Sequence, residues 1–417
     1  MSKPSRLWSK LGAKSPLFTV AVGGDDPVAL NDHSIRSINI HRGQDGPEAG
    51  PQDQTLEVAA NSLFPVMTGS SIRCRISLYG SNIINDLCGA DPVKIRERFH
   101  GRLGKQTVED ESPTKQFTTL FGSMWQSQLR NTDFTVAETK GKSVSQMIRS
   151  LSNPTGVGLP YLPATTTPSP NGDYGYVAED GDPTDYSTGI DRWATKLNIY
   201  GQSLRNGSAQ FLTVQNRYDM AVAGMSSKVP ITRSQAISPA SWEQPRENMP
   251  TIHRVRYVGP DGPTWATFGE DPMNQKIKAV EYDVLYAKWL YEKQPRSIAW
   301  TEYQRDRTLG YRIPSVTIDM LRLLTSPVPY HRTQAKQLLE LECGDPVYFS
   351  GDWSQSLRGI QFVSGMSESI TPDGWEIELS LNSSEVTLGE FSPEVPARIW
   401  ESAPYPWADE TRKWNEA

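Results

Sequence analysis

The sequence is short of the residues that build most metal, redox and catalytic centres. Only three cysteines, Cys74, Cys88 and Cys343, occur in 417 residues, and no two have CxxC spacing. That count sets aside a disulfide framework and a zinc knuckle, and it fits synthesis in a reducing cytoplasm. The five histidines, His33, His41, His100, His253 and His331, form neither HExxH nor a close metal-binding pair. No GxSxG elbow, Walker-type phosphate loop or Gly-rich dinucleotide turn is present. No apolar run approaches the roughly 18 to 20 residues that a membrane helix needs. The basic start MSKPSRLWSKLGAK leads into no apolar core of the kind a signal peptide requires. The expectation is a soluble protein without stable membrane insertion. Positive charge is also in deficit: Lys+Arg number 42 against Asp+Glu 48, a formal net charge of -6. This argues against a nucleic-acid-binding surface as the main role.

What is present is turn chemistry. Gly 32 and Pro 31, with 37% hydrophobic residues, suit a turn-rich β protein with real cores and much loop. Short alternating runs gather at the two ends as two similar β-cassettes, the pattern of small antiparallel barrels. At the N-terminal end, strands are expected at 18–22, 35–40 and 55–60. Ile72, Cys74, Ile76 and Leu78 then alternate with Arg73, Arg75, Ser77 and Tyr79. A return strand follows at 99–103, and 117–129 fits either a helix or a strand. At the C-terminal end, 314–320 alternates as a strand and 338–342 rises to the turn Gly344-Asp345-Pro346. Strands at 347–349 and 360–363 lead to Thr371-Pro372-Asp373-Gly374, a turn in which Pro presets φ and Gly can supply a positive φ. Trp375, Ile377, Leu379 and Leu381 then alternate with Glu376, Glu378 and Ser380.

The middle is less regular. A short helix is expected at 144–151, capped by Ser143, and strands at 193–200 and 210–214. A longer helix is expected at 275–293, where Val280, Val284, Ala287 and Leu290 share a stripe before Pro295. Residues 159–185 and 226–275 read as loops.

Chemistry-bearing clusters are few. Asp180, Asp182 and Asp185 could converge on a hard cation such as Ca²⁺. Their order does not match an EF-hand loop and lacks its closing Glu, so a solvated acidic loop is the preferred reading. No metal or cofactor is expected. Glu376 and Glu378 lie roughly 7 Å apart along one strand face, a separation met in glycosidases. They occupy the polar face of an amphipathic strand, and a structural role is preferred. Lys94, Arg96, Arg98, Arg102 and Lys105 read as ordinary solvated charge. Twelve tryptophans, among them Trp400 and Trp407 in a Pro-rich tail, exceed what small barrels bury, and they read equally as loop packing or partner contacts.

Several of these segments resemble the hub proteins of bacteriophage tail tips, the siphophage minor tail proteins. The similarity rests on Gly344-Asp345-Pro346-Val347, on Leu357-Arg358-Gly359-Ile360, and above all on Ile370-Thr371-Pro372-Asp373-Gly374-Trp375 leading into Glu378-Leu379-Ser380-Leu381. At the other end it rests on 35–40, Arg42-Gly43, 55–60, Gly69, 72–78 and Phe99-His100-Gly101-Arg102-Leu103. Gly141-Lys142-Ser143-Val144 and 314–319 also fit. The insertions at 155–190 and 226–275 have no counterpart.

The resemblance implies a mainly β fold with α+β insertions. Two tail-tube-like antiparallel β-barrels, at 17–135 and 313–392, would flank a mixed middle region at 136–312. A basic arm at 1–16 and a tail at 393–417 complete the division. Three such chains would form a pseudo-sixfold ring, a homotrimer joining a sixfold distal tail protein to threefold parts below. Implied partners are that distal tail protein, the tape measure protein and other tip or fibre proteins, with DNA passing through the lumen without specific binding. The implied location is the virion tail and the implied role architectural, without catalysis. Apparent strand edges at 72–78 and 375–381 nominate Ile72, Cys74, Ile76, Trp375, Ile377 and Leu379 as ring-seam residues, with Trp400 and Trp407 as further contacts. A receptor- or carbohydrate-binding tail component and a cell-wall hydrolase are the rival readings.

Overall fold

The structure is a computed structural model. It describes residues 18–23, 28–30, 35–43, 54–61, 67–76, 96–112, 115–124, 133–134, 184–185, 199–213, 229–237, 252–259, 262–268, 277–285, 313–349, 351, 353, 359–371 and 374–382. The strands run β1 (Phe18–Val22), β2 (Val28–Leu30), β3 (Ile35–Gly43), β4 (Thr55–Ala60), β5 (Ser71–Ile76), β6 (Glu97–Ser112), β7 (Lys115–Ser123), β8 (Asp133–Phe134) and β9 (Thr184–Asp185). They continue as β10 (Ile199–Ser203), β11 (Ala209–Thr213), β12 (Val229–Ile231), β13 (Ile252–Gly259), β14 (Gly262–Phe268), β15 (Ile277–Leu285) and β16 (Ser315–Asp319). Two helices follow, α1 (Met320–Thr325) and α2 (Pro329–Glu340), and then β17 (Pro346–Phe349), β18 (Gly359–Ile370) and β19 (Trp375–Asn382).

The chain forms two compact units, 1–247 with 309–383, and 248–308 with 384–417. In the first, one twelve-stranded sheet carries both terminal cassettes, in the order β12-β17-β18-β3-β4-β7-β6-β5-β1-β2, with β19 and β16 branching from β18. Two separate barrels were expected. Instead, β18 joins the cassettes: it pairs with β19 along one side, and with β17 and then β3 along the other. Among the described residues, the strands of the two cassettes make one sheet rather than two closed barrels. Alternation drives this arrangement, because Ile38 and Ile40 on β3, Leu56 and Val58 on β4, and Ile72, Cys74 and Ile76 on β5 all point into one apolar interior. The same interior takes Trp375, Ile377, Leu379 and Leu381 from β19, so both chain ends share a core. Phe18 of β1 meets Trp375 edge to face at 4.9 Å between ring centroids.

The helices end this alternation. Asp319 caps α1 by accepting from the Arg322 N–H at 3.0 Å, and Pro329 opens α2 at a position whose N–H needs no helical partner. Residues 338–342, expected to be strand, are the end of α2 and its exit. Leu338 and Leu339, with Gln334 and Ala335 one turn earlier, make the buried helical face. At one end of the sheet runs 229–237, which had been expected to be loop. β12 pairs parallel with β17, and after a 3₁₀ turn at Arg233–Gln235, Ala236 bridges Ile318 of β16. Trp353 Nε1 donates to the Ile231 carbonyl at 3.0 Å, and the Gln235 and Gln334 amides exchange hydrogen bonds of 2.5 and 2.8 Å. One segment of the middle region therefore touches two strands of the C-terminal cassette.

The second unit holds a three-stranded sheet, β14-β13-β15, with β13 and β14 antiparallel and β13 and β15 parallel. The helix expected at 275–293 is strand over Ile277–Leu285, because strand pairing with β13 overrides a short apolar stripe that suited either period. Residues 117–123 take the strand alternative, within β7. The return strand at 99–103 belongs to the longer β6. The helix expected at 144–151 lies outside the described residues. Gly374 does not adopt the expected positive φ: its turn is held by Thr371 N–H to Gly374 O at 2.9 Å, whereas Gly344, in the turn before β17, has φ 99°.

Gly43 ends β3 opposite Gly365, at the bulge of β18 and beside Cys343 just before β17. Its φ is 82°, and an added Cβ would meet the Ser364 carbonyl oxygen, Cys343 Sγ at 2.6 Å and Gly365 Cα at 2.8 Å. Gly43→Ala should therefore cost about 2–5 kcal/mol, backbone strain plus overpacking. Gly69→Ala, at a similar φ of 86° but with open space around it, should cost only about 1–2 kcal/mol. Urea unfolding of both variants checks this, and equal midpoints would contradict a tight join at Gly43.

Candidate functional site

The six seam residues nominated on β5 and β19 are interior. Ile72, Cys74, Ile76, Ile377, Leu379 and Trp375 are each 0% exposed. β5 pairs with β1 and β6, and β19 with β16 and β18, so neither strand has the open edge that the nomination required. Their alternation signals the chain's own core. Trp400 and Trp407 lie outside the described residues, as do Asp180 and Asp182. Asp185 lies in β9, with its backbone opposite Asp133. Among the described residues no group of three or more His, Cys, Asp or Glu could hold a metal ion.

The densest functional-group chemistry lies instead inside the first unit, where strands from both cassettes converge. Glu368 on β18 is 1% exposed and receives two arginines. Arg98, from β6, donates to it through Nε at 3.0 Å and Nη2 at 2.5 Å. Arg42, from β3, donates through Nη2 at 3.2 Å. Arg42 also spans to Glu342, just after α2, at 3.0 Å. A third arginine, Arg205, enters from the β10–β11 turn and donates to Glu342 Oε1 at 2.5 Å.

The end of α2 explains why arginines collect here. The last carbonyls of a helix lack intrahelical donors and carry partial negative charge. The chain leaves α2 through Leu341 with φ -58° and ψ 137°, without a left-handed glycine cap to fold back onto those carbonyls. Arginines cap them instead. Arg98 Nη1 donates to the Leu339 carbonyl at 2.7 Å, and Arg205 donates to the Leu339 and Leu341 carbonyls. An arginine suits this task because its planar fork serves a carboxylate and a carbonyl together while staying charged.

The electrostatics follow from the number of partners. Burial opposes charge on Arg42, but Glu342 and Glu368 together overcome it and raise its pKa. Arg205 is lowered to about 10: burial dominates, Glu342 offsets part of it, and Arg98 and Arg42 repel it. Burial would raise the Glu368 carboxyl, yet Arg98 and Arg42 hold it below the ordinary carboxylate value. Cys74 lies nearby, and burial pushes its pKa well above the thiol range, so it stays a protonated core residue. Glu97 is raised by burial in spite of Arg75 at 2.7 Å.

The sequence held one overlooked signal. Ile38, Ile40 and Arg42 share one strand phase, and so do Met366, Glu368 and Ile370. A charge in the buried phase of an alternating strand marks an interior ion pair. The two phases lie side by side, with Arg42 opposite Met366 and Glu368 opposite Ile40. Arg98, grouped in sequence with solvated charge, is 0% exposed.

A second contact holds the β10–β11 turn. His100 of β6 lies 2.9 Å through Nδ1 from the Asn206 carbonyl, which can only accept, so Nδ1 carries the proton. Nε2 then accepts from the Ser71 hydroxyl at 3.3 Å. Burial, and then Arg73, lower the His100 pKa.

Two predictions follow from the titrating groups. Glu368→Gln leaves Arg98 and Arg42 without their buried counter-charge and should cost about 3–5 kcal/mol at neutral pH. Because the folded pKa of Glu368 is lowered, its contribution is present above the unfolded value of about 4.3 and is lost as pH falls through the folded value. The acid limb of the stability curve should therefore be shallower in Glu368→Gln than in the parent. For His100 the folded chain binds a proton less readily than the unfolded chain, so stability should decline as pH drops below about 6.5. His100→Gln should remove that slope, as read by thermal melts from pH 7.5 to 5.

Comparison with known proteins adds the fold. No family model and no curated protein matches the chain. Among solved structures, a 43 kDa tail protein of prophage MuSo2 from Shewanella oneidensis superposes with a TM-score of 0.57 at 11% identity, covering 87% of this chain and 97% of that one. A tail protein from Neisseria meningitidis MC58 superposes with a TM-score of 0.56 at 13% identity, covering 88% and 96%. This chain has the fold of these two tail proteins over nearly its whole length.

Proposed function

We propose that this chain is a structural component of a phage tail, the central hub of the tail tip or baseplate. The observation that carries the reading is the fold match, which spans 87% of this chain and 97% of a prophage tail protein. A match that leaves so little of either chain uncovered favours a shared architectural role over one borrowed domain. The large single sheet supports the same reading, since twelve strands and a common core make a stiff wall element. In this role three chains close a pseudo-sixfold ring between a sixfold distal tail ring and threefold tip parts. The ring contacts the tape measure protein and other tip or fibre proteins, and it gates a channel through which DNA passes without specific binding. The role is architectural and involves no catalysis.

The chain mass gives the test. Light scattering over a concentration series, followed by negative-stain imaging, should find particles of about three times 46.5 kDa with a central opening. Rings should also form on addition of the distal tail ring. A stable dimer without ring particles would overturn the hub assignment and favour a receptor-binding tail component. Peptidoglycan cleavage by the purified chain would overturn the non-catalytic role.

A further inference from the structure

The residues that alternate with the core line the outward face of the large sheet, and the strand registers set them in rows. In one row Asp319 of β16 lies beside Glu376 of β19, Glu376 beside Ser369 of β18, and Ser369 beside Asn39 of β3. In the next, Glu378 lies beside Ser367, and Ser367 beside His41. The rows continue across β4 and β7 to Lys105 and Arg102 on β6. Arg102 lies opposite Ser71, whose phase on β5 is shared by Arg73 and Arg75.

Charge is sorted along these rows. The β16–β19 end is acidic, with Glu376 and Glu378 exposed. The β6–β5 end is basic, with Arg102 and Lys105 exposed and Arg73 half-buried. Arg75 is matched by Glu97, and the Asp319 carboxylate is committed to the Arg322 N–H. Between the two ends Arg36 and Glu57 carry opposite signs. Among the described residues Glu376, Glu378 and Arg102 make no ion pair.

The two ends cannot satisfy each other within one chain. Phe18 and Trp375 meet at 4.9 Å, so β1 and β19 face each other across the core. β1 is the neighbour of β5, and the outward side chains of β5 and β19 therefore point away from one another. Along the sheet, five strand spacings separate β19 from β6, about 24 Å at roughly 4.8 Å each. That is about three Debye lengths at physiological salt. Opposite charges on opposed faces suit a heterologous contact, in which one face of a copy meets the other face of the next.

We propose that the β5–β6 face around Arg73, Arg102 and Lys105 docks on the β16–β19 face around Glu376 and Glu378 of a second copy of this chain. The inference rests on the hub reading, and it names the seam between its copies. The nominated core residues of β5 and β19 are interior, but their outward neighbours on the same strands make the contact. Single exposed ion pairs contribute little, so the seam depends on several acting together and on steering between the faces.

Light scattering on the full chain tests this at low and high salt, with two charge-reversed variants. In the parent, the apparent dissociation constant should rise at least ~10-fold between about 0.05 M and about 0.5 M salt. Glu376→Arg with Glu378→Arg makes both faces basic, and Arg73→Glu with Arg102→Glu makes both acidic. Each variant alone should associate at least ~100-fold more weakly than the parent. Mixed together, they should form complexes of at least twice the chain mass. A mixture that stays monomeric, or reversed variants that associate like the parent, would overturn the seam. So would a parent that stays monomeric at low salt or associates independently of salt, and this series decides alone if a reversed variant fails to fold. The hub reading is judged separately, by ring formation on the distal tail ring.

Discussion

A carboxylate sealed from water is tolerable only when its charge is met, and Glu368 is met twice. Arg98 comes from β6 and Arg42 from β3, elements far from Glu368 in sequence and brought to it only when the sheet has curled round its core. Removing one partner of such a group leaves the other buried and uncompensated, a far larger loss than that of a surface ion pair. Misregistered pairing of β18 with β3 would impose that loss. Register by one residue also flips every side chain to the other face, so hydrophobic phase and buried charge specify the same alignment. The apolar core supplies the bulk of the driving force, and the ion network selects one arrangement of it.

The strands were legible in the sequence wherever one face is apolar and the other polar. β1, β4, β5 and β19 are cases in which alternation alone gives location and phase. What alternation cannot convey is the identity of the opposing surface. Ile72 and Trp375 have an apolar phase whether it faces a neighbouring chain or the chain's own interior, and only the topology, with partners on both sides of β5 and β19, decides. Helix α1 escaped because it follows β16 directly, and α2 because a 12-residue helix carrying Gln334, Lys336 and Gln337 has a weak apolar stripe. β15 was mistaken for a helix because Val280 and Val284 satisfy both periods over so short a stretch.

The site was less legible than the fold. Arg42, Arg98, Arg205, Glu342 and Glu368 are scattered over more than 300 residues of sequence, and no motif links them. Arg42 and Glu368 could have been found from their phase within alternating strands. Arg205 could not, since it sits in a turn whose destination depends on where α2 ends. Such residues are invisible to motif reading because their chemistry is shared with the backbone: the partners of Arg205 include the carbonyls of two leucines.

β18 is the one strand that both cassettes need. With β19 on one side and β17 and β3 on the other, it joins the two cassettes in one hydrogen-bonded fabric, and neither is complete without the other's strands. Were two related genes to recombine, that fabric would limit where a crossover can fall. A breakpoint between β7 and β12 would set the β3 of one parent against the β18 of another. It would survive only if both parents kept the Arg42, Arg98 and Glu368 constellation and the glycine at 43. Two ends that look like interchangeable modules in the sequence are therefore inherited as one.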